Sequence, residues 1–166
     1  MTIEERITRL EDIEAIRCLQ AKYQRCLDTR DFGGLESCFH QEVVSAYGNG
    51  TMSYRGREEV MTFLRRVMTA DMPSTHLIHG GEIDIDSSTQ AHAKWYLEDY
   101  LLHRRYLVRL HGAAIYDVTY TKEGETWLIS SIGYTRCYEY FELRGLVNLL
   151  TLGKTTFLDL FKRKKQ

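Results

Sequence analysis

A single proline, Pro73, falls within the 166 residues, and no Gly/Ser linker, internal repeat or low-complexity stretch accompanies it. One continuous domain is the organisation this predicts, at the usual ~100–200 residues per domain. No segment nears the ~18 apolar residues of a membrane-crossing helix. The N-terminal MTIEERITRLEDIE is charged and periodic and lacks the apolar centre of a signal peptide. A cytoplasmic protein with no membrane partner is expected. A surplus of either charge is also missing: 22 Lys+Arg against 23 Asp+Glu leave a formal net charge of −1. No global basic field is therefore available to hold nucleic acid or an anionic membrane. The four cysteines, Cys18, Cys26, Cys38 and Cys137, form no CxxC pair and lack His at zinc-finger spacing. They read as reduced thiols serving as small buried hydrophobes. GxGxxG, GxxxxGK[ST] and GxSxG do not occur, so the common dinucleotide, P-loop and nucleophile-elbow signatures are excluded.

What is present divides into a helical first half and a strand-rich second half. Ile3, Ile7, Leu10, Ile13, Ile16, Leu19, Tyr23 and Leu27 recur every three or four residues, predicting one long helix over 3–28 with a single apolar stripe. A short helix over 32–38 follows a possible N-cap, Asp31. HQEVVSA (40–46) reads as a strand, and Gly48-Asn49-Gly50 as a hairpin turn. A third helix is predicted over 57–69, with Val60, Phe63, Leu64 and Val67 on one side; Pro73 ends that region. From residue 75 the period becomes two. Leu77, Ile83 and Ile85 are expected on one side of the first long strand. Ala91, Ala93, Trp95, Leu97, Asp99 and Leu101 are expected on one face of the next. Two more strand segments follow, RLHGAAIYDVTYT and WLISSIGYTRCYEYF, joined by a turn at 122–124. An antiparallel meander and an α+β fold are implied. One long sheet curved around helices forms a cone whose interior can hold a ligand. The domain is assigned to 1–142, and 143–166 to a leucine-rich tail ending in KRKK that is expected to be helical.

Several polar residues sit where burial makes them informative. Asp99 shares an apolar strand face, and an ionised carboxylate there is costly unless paired. Arg136 is expected to share a face with Leu128, Ile132, Tyr134 and Tyr138. It is a natural counter-charge for Asp99, or for a carboxylate or carbonyl of a ligand. His76 and His79 form HxxH, but residues three apart on a strand point to opposite faces and do not chelate one metal. A single cavity-facing His serves better as a general base. Tyr23 lies on the stripe of the first helix. Asp28 lies at that helix's C-terminal end, where a carboxylate opposes the helix dipole and needs compensation, such as an imidazolium. The eleven tyrosines, among them Tyr47, Tyr96, Tyr116, Tyr134 and Tyr138 in strand segments, suit a pocket for an apolar ligand carrying a few oxygens. Ordinary strand propensity accounts for most of them.

Four segments together, EDIEAIRCLQAKYQRCLD (11–28), THLIHGGEIDID (75–86), KWYLEDYLL (94–102) and IGYTRCYEYF (132–141), resemble the SnoaL-like branch of the nuclear-transport-factor-2-like superfamily. Within that branch the pattern is most similar to the bile acid 7α-dehydratases. The resemblance implies a cone-shaped α+β fold with the active site inside. By match to the motifs it implies Tyr23, Asp28, His76, Asp99 and Arg136 as catalytic residues and Tyr47 as substrate-binding. It implies no cofactor and no metal. The reaction it implies is elimination of water from a hydroxylated enone, such as a 7α-hydroxy-3-oxo-Δ4 steroid or bile acid, as free acid or coenzyme A thioester. A non-catalytic small-molecule binder and an isomerase or cyclase of a polycyclic ketone are the alternatives. A homo-oligomer is expected, because exposed apolar sheet and tail residues need burial; the resemblance favours a trimer over a dimer.

Overall fold

The structure, a computed structural model, describes residues 1–143. Helix α1 (Ile3–Thr29) starts with a capping box between Thr2 and Glu5. It stops at Arg30, whose left-handed backbone (φ 59°) turns the chain. Helix α2 (Phe32–Glu36) is capped by Asp31, whose side chain accepts from the Gly34 amide. Strands β1 (Phe39–Tyr47) and β2 (Met52–Arg55) form a hairpin around the Gly-Asn-Gly turn, and helix α3 (Arg57–Val67) follows. Four long strands complete the fold: β3 (Ser74–Ile85), β4 (Gln90–His103), β5 (Val108–Glu123) and β6 (Thr126–Leu143).

The strand order is β2-β1-β6-β5-β4-β3, with β2 and β3 as open edges. The predicted meander is β3 to β6. The sheet is not wholly antiparallel, because β1 pairs with β6 in parallel. A strand's own periodicity reports its buried face and not its neighbour, so this pairing was beyond the local pattern. α1 packs on β3 and β6, and α3 on β1 and β2. One face of the curved sheet is thereby covered.

The closed end of the cone is filled. Ile16, Tyr120 and Ile129 are fully buried there. A buried polar chain runs from Trp95 Nε1 to the Tyr120 hydroxyl (3.0 Å), then to Gln20 Oε1 (2.7 Å), and Gln20 Nε2 donates to Gln24 Oε1 (3.4 Å). Asp12 accepts from Lys122 Nζ (2.9 Å) and Trp127 Nε1 (2.8 Å), fastening α1 to the β5–β6 hairpin. Each of these groups gains a partner that offsets part of its desolvation, except Gln24 Nε2, which has none among the described residues.

Several expectations are corrected. The stripe of α1 is buried only from Ile16 on, while Ile3, Ile7 and Leu10 are exposed. Arg9 reaches the carbonyl of Ile85, the last residue of β3, so the turns before it run past the strand. Leu77 does not share a face with Ile83 and Ile85. A bulge between His79 and Gly81, with Gly80 at φ +43°, inverts the alternation, so that His76 and Ile78 lie on the inner side and Leu77 is exposed. β6 carries two irregularities opposite β5, between Ile129 and Ser131 and between Arg136 and Tyr138. They remove Leu128 and Tyr138 from the face of Ile132, Tyr134 and Arg136. Cys26 and Cys38 are buried thiols, but Cys18 and Cys137 are exposed. Leu143 ends β6, and the tail predicted to be helical otherwise lies outside the described residues. None of the helices among the described residues is long and apolar enough to cross a membrane.

Candidate active site

The open end of the cone holds a cavity of about 430 Å³, within the ≈300–1,000 Å³ typical of small-molecule sites. Its walls are mostly apolar, with Leu27, Phe63, Leu64, Met68, Leu97 and Leu110 among them. All six residues singled out in the sequence converge there or directly behind it. Tyr23, Tyr47, His76, Asp99, Tyr134 and Arg136 line the cavity, and Asp28 stands behind His76.

Asp28 and His76 form the first polar pair. Asp28 Oδ1 lies 2.6 Å from His76 Nδ1 and also accepts from Ser74 Oγ at 2.7 Å. Asp28 Oδ2 accepts from the His76 backbone amide at 2.8 Å. Burial raises the Asp28 carboxyl, but the hydrogen bonds from His76 and Ser74 outweigh it, and the net shift is downward. Asp28 is thus an acceptor-only carboxylate, and the proton of a neutral His76 belongs on Nδ1. Nε2 is left as the basic nitrogen of a cavity-lining ring. This resolves the problem of a carboxylate at a helix C-terminus: the compensation comes from β3, across the chain. The irregularity at Gly80 separates the two histidines, and His79 sits on the outer face at 60% exposure of its side chain.

Asp99 and Arg136 form the second pair. Arg136 Nη1 and Nη2 donate to Asp99 Oδ1 and Oδ2, both at 2.7 Å, a bidentate fork. Asp99 is only 3% exposed. It sits directly opposite His76 in the β3–β4 ladder, so both polar pairs share one stretch of the inner face. Gly112, opposite Asp99 on β5, makes room for the fork. A Cβ there would come within 2.8 Å of Arg136 Nη1 and 3.1 Å of Asp99 Oδ1. Gly112→Val is therefore expected to splay the pair, lowering stability by about 1–3 kcal/mol as overpacking does. Urea unfolding of the variant checks this; an unchanged midpoint would show that the fork tolerates the side chain.

Phenols form the third feature. The Tyr23 and Tyr47 hydroxyls are 3.4 Å apart. Tyr116 and Tyr134 stand edge-to-face beside them. Burial pushes the Tyr23, Tyr47 and Tyr116 hydroxyls up, so these groups remain protonated donors. Of the other strand tyrosines, Tyr96 and Tyr138 are exposed. Ser74, Gly112 and Tyr116 were not singled out as site residues. Ser74 was legible in principle, being two residues before His76 and hence on the same strand face. Gly112 was not, because its importance lies in what stands opposite it. Asn49, from the hairpin turn, is a further addition: its Oδ1 accepts from the Arg136 backbone amide at 2.9 Å. No cluster of three or more His, Cys, Asp or Glu able to hold a metal occurs among the described residues.

The SnoaL-like domain family matches residues 8–132, which spans both helices and strands that build the cavity. The chain belongs to the SnoaL-like domain family. Solved structures of similar fold include a type 2 hexachlorocyclohexane dehydrochlorinase, 18% identical, with a TM-score of 0.75 over 82% of this chain and 92% of that one. A scytalone dehydratase-like protein from Novosphingobium aromaticivorans is 18% identical, with a TM-score of 0.75 over 80% of this chain and 89% of that one. A type 3 dehydrochlorinase from Novosphingobium barchaimii is 18% identical, with a TM-score of 0.74 over 82% and 93%. At such identities these likenesses concern the fold. They agree with the α+β cone, with its N-terminal helices and its curved, unclosed sheet.

Proposed function

We propose that this SnoaL-like protein is a cofactor-independent hydro-lyase that eliminates water from a hydroxylated, enone-bearing hydrophobic substrate. The observation that carries the reading is the Asp28–His76 pair, whose basic ring lines an apolar cavity. The similarity of the sequence motifs to bile acid 7α-dehydratases makes a 7α-hydroxy-3-oxo-Δ4 steroid the specific candidate. His76 Nε2 removes a C–H proton made acidic by conjugation with the carbonyl, and the electron pair passes into the conjugated system as a dienolate. The dienolate then expels the neighbouring hydroxyl. The proton held by His76 goes to that oxygen, and water leaves as the new C=C bond forms. Tyr23 or Tyr47 donates a hydrogen bond to the oxygen where charge develops. Both Asp99 oxygens are occupied by Arg136, so this pair supports the cavity's electrostatics and does not ferry the proton. Asp28 orients the imidazole and stabilises its protonated form, as a carboxylate does behind a catalytic histidine.

The test is an absorbance spectrum of the purified protein mixed with this steroid, as free acid, methyl ester and thioester. Dehydration extends the enone to a dienone and moves the band to longer wavelength. A shift that disappears in His76→Ala supports reaction class and base together. An unchanged spectrum in all three forms removes the steroid, and bound but unaltered steroid would favour a carrier.

A further inference from the structure

We infer that the cavity selects electrically neutral ligands, and that Glu139 at its wall is the specificity residue that turns carboxylates away. The inference deepens the proposed function and rests on that reading of the site. Among the described lining residues, the ionisable groups other than tyrosine are His76, Asp99, Arg136 and Glu139. Arg136 is the only cation of fixed charge among them, and it is already engaged on three sides. Its Nη atoms fork onto Asp99. Its Nε lies 3.1 Å from Glu139 Oε2. Its guanidinium carbon lies 4.8 Å from the centre of the Tyr134 ring. A Cβ added at Gly112 would lie only 2.8 Å from Nη1, so little space remains for a ligand oxyanion on that side. Asp99 already neutralises Arg136, and Glu139 leaves the trio with a net charge of −1. Behind the ring of His76 stands a second carboxylate, Asp28.

Arg136 is thus not the anchor for a substrate carboxylate that an arginine in an apolar cavity suggests. An anion entering between these walls loses hydration and meets a field of its own sign, two costs that add. A ketone, ester or thioester meets neither. Glu139 is suited to act as the discriminator because it comes from the irregular part of β6. The shift between Arg136 and Tyr138 brings residue 139 onto the cavity wall, where a regular strand would have placed Tyr138. Its side chain is 42% exposed, so it can be replaced without unpairing the buried fork.

The test uses N-phenyl-1-naphthylamine, a neutral dye that fluoresces in apolar cavities. It is displaced by a 7α-hydroxy-3-oxo-Δ4 steroid bearing a side-chain carboxylate, or by the methyl ester of the same steroid. In the full chain the ester should displace the dye at concentrations roughly tenfold lower than the acid. Glu139→Gln should narrow this gap several-fold by improving the acid and leaving the ester unchanged. Glu139→Asp, which keeps the charge, should retain the gap, and high salt should shrink it for the half-exposed group. Equal displacement by acid and ester, or a Glu139→Gln change that moves both alike, overturns the inference while leaving dehydration to be decided by the spectrum. Displacement by neither steroid overturns both readings. An ester that binds preferentially without being turned over overturns the dehydratase reading alone.

Discussion

His76→Ala is expected to lower turnover by about 10²–10⁴-fold, the usual contribution of a general base, with the fold intact. The fold should survive because position 76 keeps its backbone N–H. Asp28 Oδ2 retains that amide and Oδ1 retains Ser74 Oγ. Asp28→Asn should approach the same loss by a different route. An amide at 28 presents a donor as well as an acceptor, so Nδ1–H is no longer enforced, and the basic lone pair can face the helix. It also removes the charge that stabilises the imidazolium. The pH dependence of stability reports the Asp28 carboxyl. Asp28 has a folded pKa below its ordinary value of 3.8. Its contribution to stability is fully present above that ordinary value and is lost as pH falls through the lower, folded one. Asp28 therefore stays ionised wherever the protein works. Urea unfolding at stepped pH should show wild type and Asp28→Asn converging as pH descends through the carboxylate range. Full turnover by either variant would remove this pair from the mechanism.

Much of this arrangement was legible in the sequence because burial on a strand is periodic. Asp99 announces itself as a carboxylate in register with Ala91, Ala93, Trp95 and Leu97, and it is buried as that register demands. Asp28 announces itself as a charge at the wrong end of a helix. The partners of both come from elsewhere in the chain: Arg136 was expected as a counter-charge for Asp99, whereas for Asp28 the residues themselves called only for some compensating group, such as an imidazolium. The misplacements have one cause. A strand bulge resets the period-two pattern without an obvious signature, except where a glycine such as Gly80 supplies the left-handed residue. Leu77 was therefore grouped with Ile83 and Ile85, Tyr138 was grouped with Arg136, and Glu139 was overlooked. The parallel pairing of β1 with β6 was invisible for another reason, since no local pattern encodes which distant strand closes the sheet. Gly112 shows a third limit: its role is the space it leaves for the Asp99–Arg136 fork, and absence of a side chain carries no periodic signal.

The Asp99–Arg136 fork gives the second large effect. Arg136→Leu leaves a carboxylate at 3% exposure with no counter-charge, and the expected loss is about 3–5 kcal/mol of stability, a fall in Tm on the order of 10 °C. Asp99→Leu should be milder, because Arg136 keeps Glu139 at 3.1 Å and the Tyr134 face and its own surroundings are wetter. The pair of changes together, Asp99→Leu with Arg136→Leu, should recover most of the stability, since two apolar side chains replace a desolvated ion pair without leaving a charge behind. This non-additivity is the diagnostic result: neighbours that share one interaction do not sum. Calorimetry of the four proteins measures it, and a double variant as unstable as the sum of the singles would show that the fork is not the coupled unit its geometry describes. Turnover by the double variant then separates structure from chemistry. If the fork only props the wall, the refolded apolar cavity keeps His76, Asp28 and the phenols in place and retains activity. The proposed electrostatic support instead requires charges opposite His76, so stability should return while turnover does not.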